Sequence, residues 1–132
     1  MNKTIIVGNI GQDAEIRQVS GSQTKSISFS VAVNRSFVNN DGEKQTITTW
    51  FNCTKWVQNN GSTEISKWLK SGTQVLVVGE ITAHPFKSNK TNEWVASLDL
   101  NVREIELLGS KKEEANKEDD AMKPNQNFSD EN

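Results

Sequence analysis

Trp50, Asn52, Thr54 and Trp56 alternate along one run of the chain with Phe51, Cys53, Lys55 and Val57. In an extended strand these two sets face opposite ways, so two large rings stand among polar groups. An indole in that setting is placed to stack on a flat partner. Unpaired nucleobases are such partners, each contact being worth about 1–3 kcal/mol by alanine substitution. A subunit interface, or burial beneath a loop, would use the same rings. Phe37 and Phe86 sit at the roots of two polar segments and not in mid-strand, which favours rings lining a groove that tracks a single strand. Lys3, Arg17, Arg35, Lys55, Lys67, Lys70, Lys87 and Lys90 are spread through the same region and could follow a phosphate backbone, in a salt-dependent way, or form ordinary solvated surface. Trp68 and Trp94 align with aliphatic neighbours and are expected in the core.

Other chemistries find little support. Nucleophilic catalysis needs an activated Ser, Cys or Thr with a base in hydrogen-bond reach. Cys53 lies on the apolar face of its strand, and the single His84 adjoins Pro85. With one Cys and one His, a zinc site would need two acidic ligands or a partner chain, so no metal is expected. Gly8 and Gly11 are not followed by the Gly-Lys-Ser/Thr of a phosphate loop. No catalytic residue, cofactor or enzymatic activity is expected.

The elements that must position the rings are mostly strands. Ile27, Phe29, Val31 and Val33 alternate with Ser26, Ser28, Ser30 and Ala32; Trp94 to Val102 alternates in the same way. Further strands are predicted at Thr4 to Ile10, Gln74 to Ala83 and Ile105 to Leu108, with Gly79 marking a strong bend. Asn40-Asp41-Gly42 and Ser88 to Asn92 read as hairpin tips. Between the third and fourth strands a short helix is predicted, capped by Ser62 or Thr63 and ended by Gly72, with Ile65, Trp68 and Leu69 at helical spacing. The expected architecture is an all-β barrel with one short helix.

At 132 residues and 33% hydrophobic content the chain suits one domain with a tail. Residues 110–132 hold four Lys against seven Asp and Glu, a net charge of −3, and almost no large apolar side chains. That segment is expected to be a disordered acidic tail, leaving 1–109, at +1, as the folded unit. The overall charge of −2 gives no support for nucleic acid by itself. A single Cys and a start that runs straight into a strand-like segment are expected of a cytoplasmic protein.

The run from Asn2 to Arg17, NKTIIVGNIGQDAEIR, resembles the opening of bacterial single-stranded DNA-binding proteins. So do Phe29 to Asn34, Thr49 to Cys53, and Leu69 to Val75. The match runs in register over about residues 2 to 109. It implies a five-stranded OB-fold barrel, usually a homotetramer, that holds single-stranded DNA without sequence preference in replication, recombination and repair, associated with the nucleoid. By the motif positions, the family's stacking aromatics correspond to Phe37, Trp50, Trp56 and Phe86, the four picked out above. Its basic contacts correspond to Lys3, Arg17 and Lys70. Arg35, Lys55 and Lys87, which flank the rings, complete the expected DNA-binding set.

Some features depart from the family. Asn52 stands where relatives often carry Arg, and Thr82-Ala83-His84-Pro85 replaces a more basic strand end, so binding at high salt is expected to be weaker. Family tails end in acidic residues closed by a terminal hydrophobic ring that docks on replication and repair proteins. Here Asp119, Asp120 and Phe128 supply the acids and the ring, but Ser129-Asp130-Glu131-Asn132 follows, so partner binding through the tail is expected to be weaker or retargeted. Two other readings of the barrel stay open. One is a protein-interaction module similar to primosomal replication protein N, against which the acidic tail argues. The other is an RNA-binding module of OB or cold-shock type.

Overall fold

The structure, a computed structural model, describes residues 1–58 and 61–110. Six strands are present: β1 Thr4–Ile10, β2 Glu15–Gln18, β3 Lys25–Val38, β4 Lys44–Val57, β5 Thr73–Lys87 and β6 Trp94–Ser110. β1 pairs with both β5 and β3, β5 with β6, β6 with β4, and β4 with β3, which closes a five-stranded barrel. All pairings are antiparallel except β4 with β6, which runs parallel through Asn52↔Asp99, Cys53↔Leu100 and Thr54↔Asn101. β2 lies outside the ring, joined only to β3. Its four residues are all exposed, so they lack the apolar alternation by which a strand is recognised in sequence.

Alternation explains the core. Ile6 and Ile10 of β1, Ile27, Phe29 and Val31 of β3, Cys53 and Val57 of β4, Val75 and Val77 of β5, and Leu100 and Val102 of β6 point inward and are buried. Burying such a side chain contributes roughly 1.5–3 kcal/mol. The strands continue past this core. Beyond Asn34 on β3 and before Thr49 on β4 every residue is exposed, as is each residue of Thr82–Lys87 on β5. The two hairpins therefore extend from the barrel as two-stranded arms, longer than the predicted strands. At one tip the Asn39 side-chain oxygen accepts from Asp41 N and Glu43 N, both at 2.9 Å, and Gly42 takes a left-handed φ of 82°. At the other, Ser88 Oγ accepts from Lys90 N at 3.2 Å, and Asn92 has φ 60°.

The predicted helix is a single 3-10 turn, Glu64–Trp68. Ser66 supplies the reason: its hydroxyl donates to the Thr63 carbonyl at 2.7 Å and its backbone NH to the same oxygen at 3.1 Å. Such side-chain bonding competes with a continuing α-helix, and five residues are too few to offset helix nucleation. Leu69, just beyond the turn, is fully buried at the barrel's end, where its carbonyl accepts from Ala14 N at 2.9 Å. The Gly72 NH donates to Ile10 O at 2.7 Å, tying the connection to the end of β1.

Two expectations about the core are corrected. Trp68 is 64% exposed because Leu69 takes the inward place beside it. Trp94 has the inward alternation of Leu98 and Leu100, but it lies on the arm, beyond the end of the core, and is 71% exposed. Gly79 is needed where expected. The β5–β6 register shifts between Val78 and Gly79, and a Cβ at Gly79 would run into the Asn101 backbone. Gly79→Ala is expected to cost about 1–3 kcal/mol of stability in urea denaturation; an unchanged midpoint would show that the two strands have room to separate.

Candidate functional site

The closed ring of pairings fixes which side chains share the outer face of β4. Trp50, Asn52, Thr54 and Trp56 alternate with the buried Cys53 and Val57 and point outward. Through the parallel register, Asp99 and Asn101 of β6 lie on the same face. Thr82, His84 and Phe86 of β5 oppose Asp99, Ser97 and Val95, and so join it too. Three of the four expected rings, Trp50, Trp56 and Phe86, are thus brought to one face, each about half exposed. Phe37 is set differently. It pairs with Gln45 and carries the inward alternation of Val31 and Val33, but it lies on the β3–β4 arm, where both faces are open to solvent. The Arg35 guanidinium carbon lies 5.8 Å from the Phe37 ring centre, a cation–π distance.

Trp50 has an additional support. A Cβ on Gly11 would come within 2.5 Å of the Trp50 ring, so the glycine lets the indole lie against the β1 end. Between the rings the floor is polar. One hollow of about 350 Å³ runs along Gln12, Asp13, Glu15 and Arg17 to Ser28, Ser30, Asn52 and Thr54. A second, of about 300 Å³, runs from Thr54 and Trp56 to Thr82, Glu80, Asp99 and Asn101. Thr54 lines both, so the two hollows meet across β4.

At the centre of this face is a hydrogen-bonded cluster that no single strand's pattern announces. Asn52 Nδ2 donates to Ser97 Oγ at 3.0 Å and to Asp99 Oδ1 at 3.3 Å, and Ser97 Oγ donates to Asp99 Oδ1 at 2.9 Å. His84 Nδ1 lies 2.7 Å from Asp99 Oδ2. Asn52 therefore holds a carboxylate at the centre of the face. Detecting Asp99 from sequence would have required knowing the β4–β6 register.

The expected basic residues are less unified than the rings. Arg17 lines the first hollow, with its Nη2 3.3 Å from Glu15 Oε1. Lys70 Nζ lies 3.8 Å from Asp13 Oδ2 at the same end. Lys3 borders a separate hollow with Gly79 and Arg103. Lys55 is not on the ring-bearing face: it has the alternation of Cys53 and Val57, and its Nζ donates to Arg103 O at 3.4 Å. Lys87 pairs across the arm with Trp94, on the side opposite Phe86. Asp119, Asp120 and Phe128 lie outside the described residues.

This arrangement suits a strand whose bases face the protein and whose phosphates face away. The floor offers Ser, Thr and Asn groups, the walls offer rings, and Asp99 would repel phosphates brought to the bottom, whereas Glu80 is paired with Arg103. Cys53 is 1% exposed, and burial pushes its thiol from 9.0 up to about 12. A thiol held neutral in this way is a poor nucleophile.

Comparison with known proteins agrees with the fold. The profile of the "Single-strand binding protein family" matches residues 1–108. "Single-stranded DNA-binding protein 1" of Chlorobaculum tepidum is 26% identical over 111 residues, covering 84% of this chain and 67% of that protein. The protein of the same description from Streptococcus agalactiae serotype III is 30% identical over 111 residues, 84% of this chain and 64% of that one. The chain thus spans about two thirds of the length of these relatives. Among solved structures, the Plasmodium falciparum SSB in complex with ssDNA superposes with a TM-score of 0.60 at 24% identity, over 83% of this chain and 94% of that one. A small single-stranded DNA-binding protein from Streptomyces coelicolor gives 0.61 at 20% identity, over 80% and 93%. At these identities the structural likeness establishes the OB-fold barrel.

The Cys53 thiol supplies a pH test. Its proton is held to about 12 in the folded state and released from 9.0 when unfolded, so its contribution to stability is complete below pH 9 and declines as pH rises toward 12. The stability difference between the wild type and Cys53→Ala is expected to shrink between pH 9 and 10.5, by at most about 1.4 kcal/mol per pH unit. Urea denaturation at stepped pH measures it, and a constant difference would mean that the thiol titrates normally.

Proposed function

We propose that this chain, which belongs to the single-strand binding protein family, binds single-stranded DNA without sequence preference and protects it during replication, recombination and repair. The reading rests above all on Trp50, Trp56 and Phe86 standing exposed on one face around a polar floor. A ring stacks on any base, since every base has a flat apolar face, and stacking alone therefore gives tolerance of sequence. Phe37 adds a fourth ring on the neighbouring arm. Lys3, Arg17, Arg35, Lys70 and Lys87 accompany the phosphates; Lys55, being on the other face, has the smallest part. The protein acts as a binder with no catalytic step and no cofactor.

The domain division follows the same reading, with residues 1–109 as the DNA-binding unit and 110–132 as an acidic tail for replication and repair proteins, through Asp119, Asp120 and Phe128. A homotetramer accords with the outer face of β1, where Ile5 and Val7 are exposed and Leu76 of β5 lies opposite Val7. Four copies would turn a modest site into a tight one by effective concentration. No helix among the described residues is long and apolar enough to cross a membrane, and a cytoplasmic, nucleoid-associated location fits the proposed ligand.

Titration with oligo(dT) at two salt concentrations tests the reading. Tryptophan emission is expected to fall on binding, and affinity to drop with salt by a log–log slope of about −0.7 per phosphate contact. Trp50→Ala and Trp56→Ala are each expected to lose about 1–3 kcal/mol of binding with an unchanged thermal transition. Unchanged emission with DNA at low salt would refute the proposal, and tighter binding to RNA of the same sequence would redirect it. Light scattering of the free protein is expected to give the mass of four chains.

A further inference from the structure

Trp94 is the most exposed aromatic ring among the described residues, at 71%. The β5–β6 ladder runs without a register shift from Glu80↔Asn101 to Lys87↔Trp94, so its faces are unambiguous. Phe86 and Val95 lie on one side of the arm; Lys87 and Trp94, directly opposite each other, lie on the other. Directly paired residues on one face of an antiparallel ladder have Cβ atoms about 4.5–5.5 Å apart. The stems of Lys87 and Trp94 therefore start side by side on a ribbon open to solvent, within reach of one bound nucleotide, with Lys90 at the nearby tip. Water-exposed indole is costly to leave uncovered. A ring with a cation beside it matches the two parts of a nucleotide: a flat base and a phosphate.

We infer that Trp94 and Lys87 form a further nucleotide subsite, in which a base of single-stranded DNA stacks on the Trp94 indole and its phosphate is met by the Lys87 ammonium. This rests on the proposed DNA binding and extends its track. Phe86 takes a base on the barrel side of the arm, and the strand then passes over the arm's edge to the Trp94 side. It also gives Lys87 a partner, which its position opposite Phe86 denied it. Trp68, the other unexpectedly exposed indole, has no such arrangement: it ends a single 3-10 turn, where no strand pairing sets a cation opposite the ring.

Titrations of the full chain with dT oligomers of increasing length, read by fluorescence and by light scattering, test this. Trp94→Ala is expected to weaken binding by roughly tenfold and to shorten the oligomer that saturates each protomer, with the oligomeric state unchanged. Trp94→Phe should recover most of the affinity. Lys87→Ala should reduce the log–log salt slope by about 0.7, the share of one phosphate. Trp50→Ala serves as the reference. If it weakens binding while Trp94→Ala matches the wild type in affinity and length, the subsite does not exist, although the DNA-binding reading stands. If the wild type fails to bind at all, it is that reading that fails. A changed mass for Trp94→Ala would assign the ring to a protein interface and overturn the inference.

Discussion

Three residue pairs between parallel strands hold the site together: Asn52↔Asp99, Cys53↔Leu100 and Thr54↔Asn101. Their middle pair is core, with Cys53 and Leu100 each about 1% exposed. Their outer pairs form the centre of the binding face. Without this short seam the barrel would be an open sheet in which β1 alone joins β3–β4 to β5–β6, with Trp50 and Trp56 at one edge and Phe86 toward the other. The seam closes the barrel and in the same step aligns the outward faces of the two hairpins, because the side-chain alternation of each strand is fixed by its buried neighbours. A one-residue slip would bury Asn52 and expose Cys53 and Leu100, and the loss of core burial forbids it. The hydrogen bonds from Asn52 to Ser97 and Asp99 reinforce the same register from outside.

That alignment also decides how charge is used. Residues 1–109 carry a net charge of only +1, and Glu80 and Asp99 occupy the floor of the second hollow. General attraction of a polyanion is therefore weak, and on the proposed reading Asp99 keeps phosphates away from the floor. Asp99 is held in place by its partners: two donors meet Oδ1, and His84 Nδ1 lies beside Oδ2. On the proposed reading, affinity comes from ring stacking in the groove, with cations at its margins. Of those cations, Arg17 and Lys70 have acidic neighbours, Glu15 and Asp13, at ion-pair distance. These pairs are solvent-exposed and weak, so a phosphate can replace the carboxylate at little cost.

Much of this was legible in the sequence, and the reason is burial. The alternation of Ile27, Phe29, Val31 and Val33 identifies a half-buried strand, and the opposite alternation of Trp50 and Trp56 places them outside. Four things were not legible, each for its own reason. β2 has no apolar period because neither of its faces is buried. The helix between β4 and β5 shortens to a 3-10 turn because Ser66 bonds locally to Thr63. Trp94 and Phe37 expose a more general limit. Alternation reports which face a residue takes, but not how far along the strand the core reaches. Both have inward alternation, and both lie past the end of the barrel. The Asn52–Ser97–Asp99–His84 cluster was out of reach for yet another reason, since it joins three strands through a parallel register that local pattern does not encode.

The length of the arms has an energetic consequence for binding. Beyond the barrel their order depends on backbone pairing, on the tip turns and on cross-strand bonds such as Thr48 Oγ1 to Asn34 Oδ1 at 2.6 Å and Ser36 Oγ with Thr46 Oγ1 at 3.3 Å. With no buried side chains in these segments, opening an arm costs far less than opening the barrel. Phe37, Phe86 and Trp94 are carried by these less stable segments, whereas Trp50 and Trp56 stand on the part of β4 anchored by Cys53 and Val57. Stacking at the arms must therefore offset the ordering of the ribbon as well as of the nucleotide, while stacking on β4 meets a preformed surface. In the proposed binding mode the two indoles of β4 thus carry the firmest contacts, and the arms trade affinity for reach around a flexible strand.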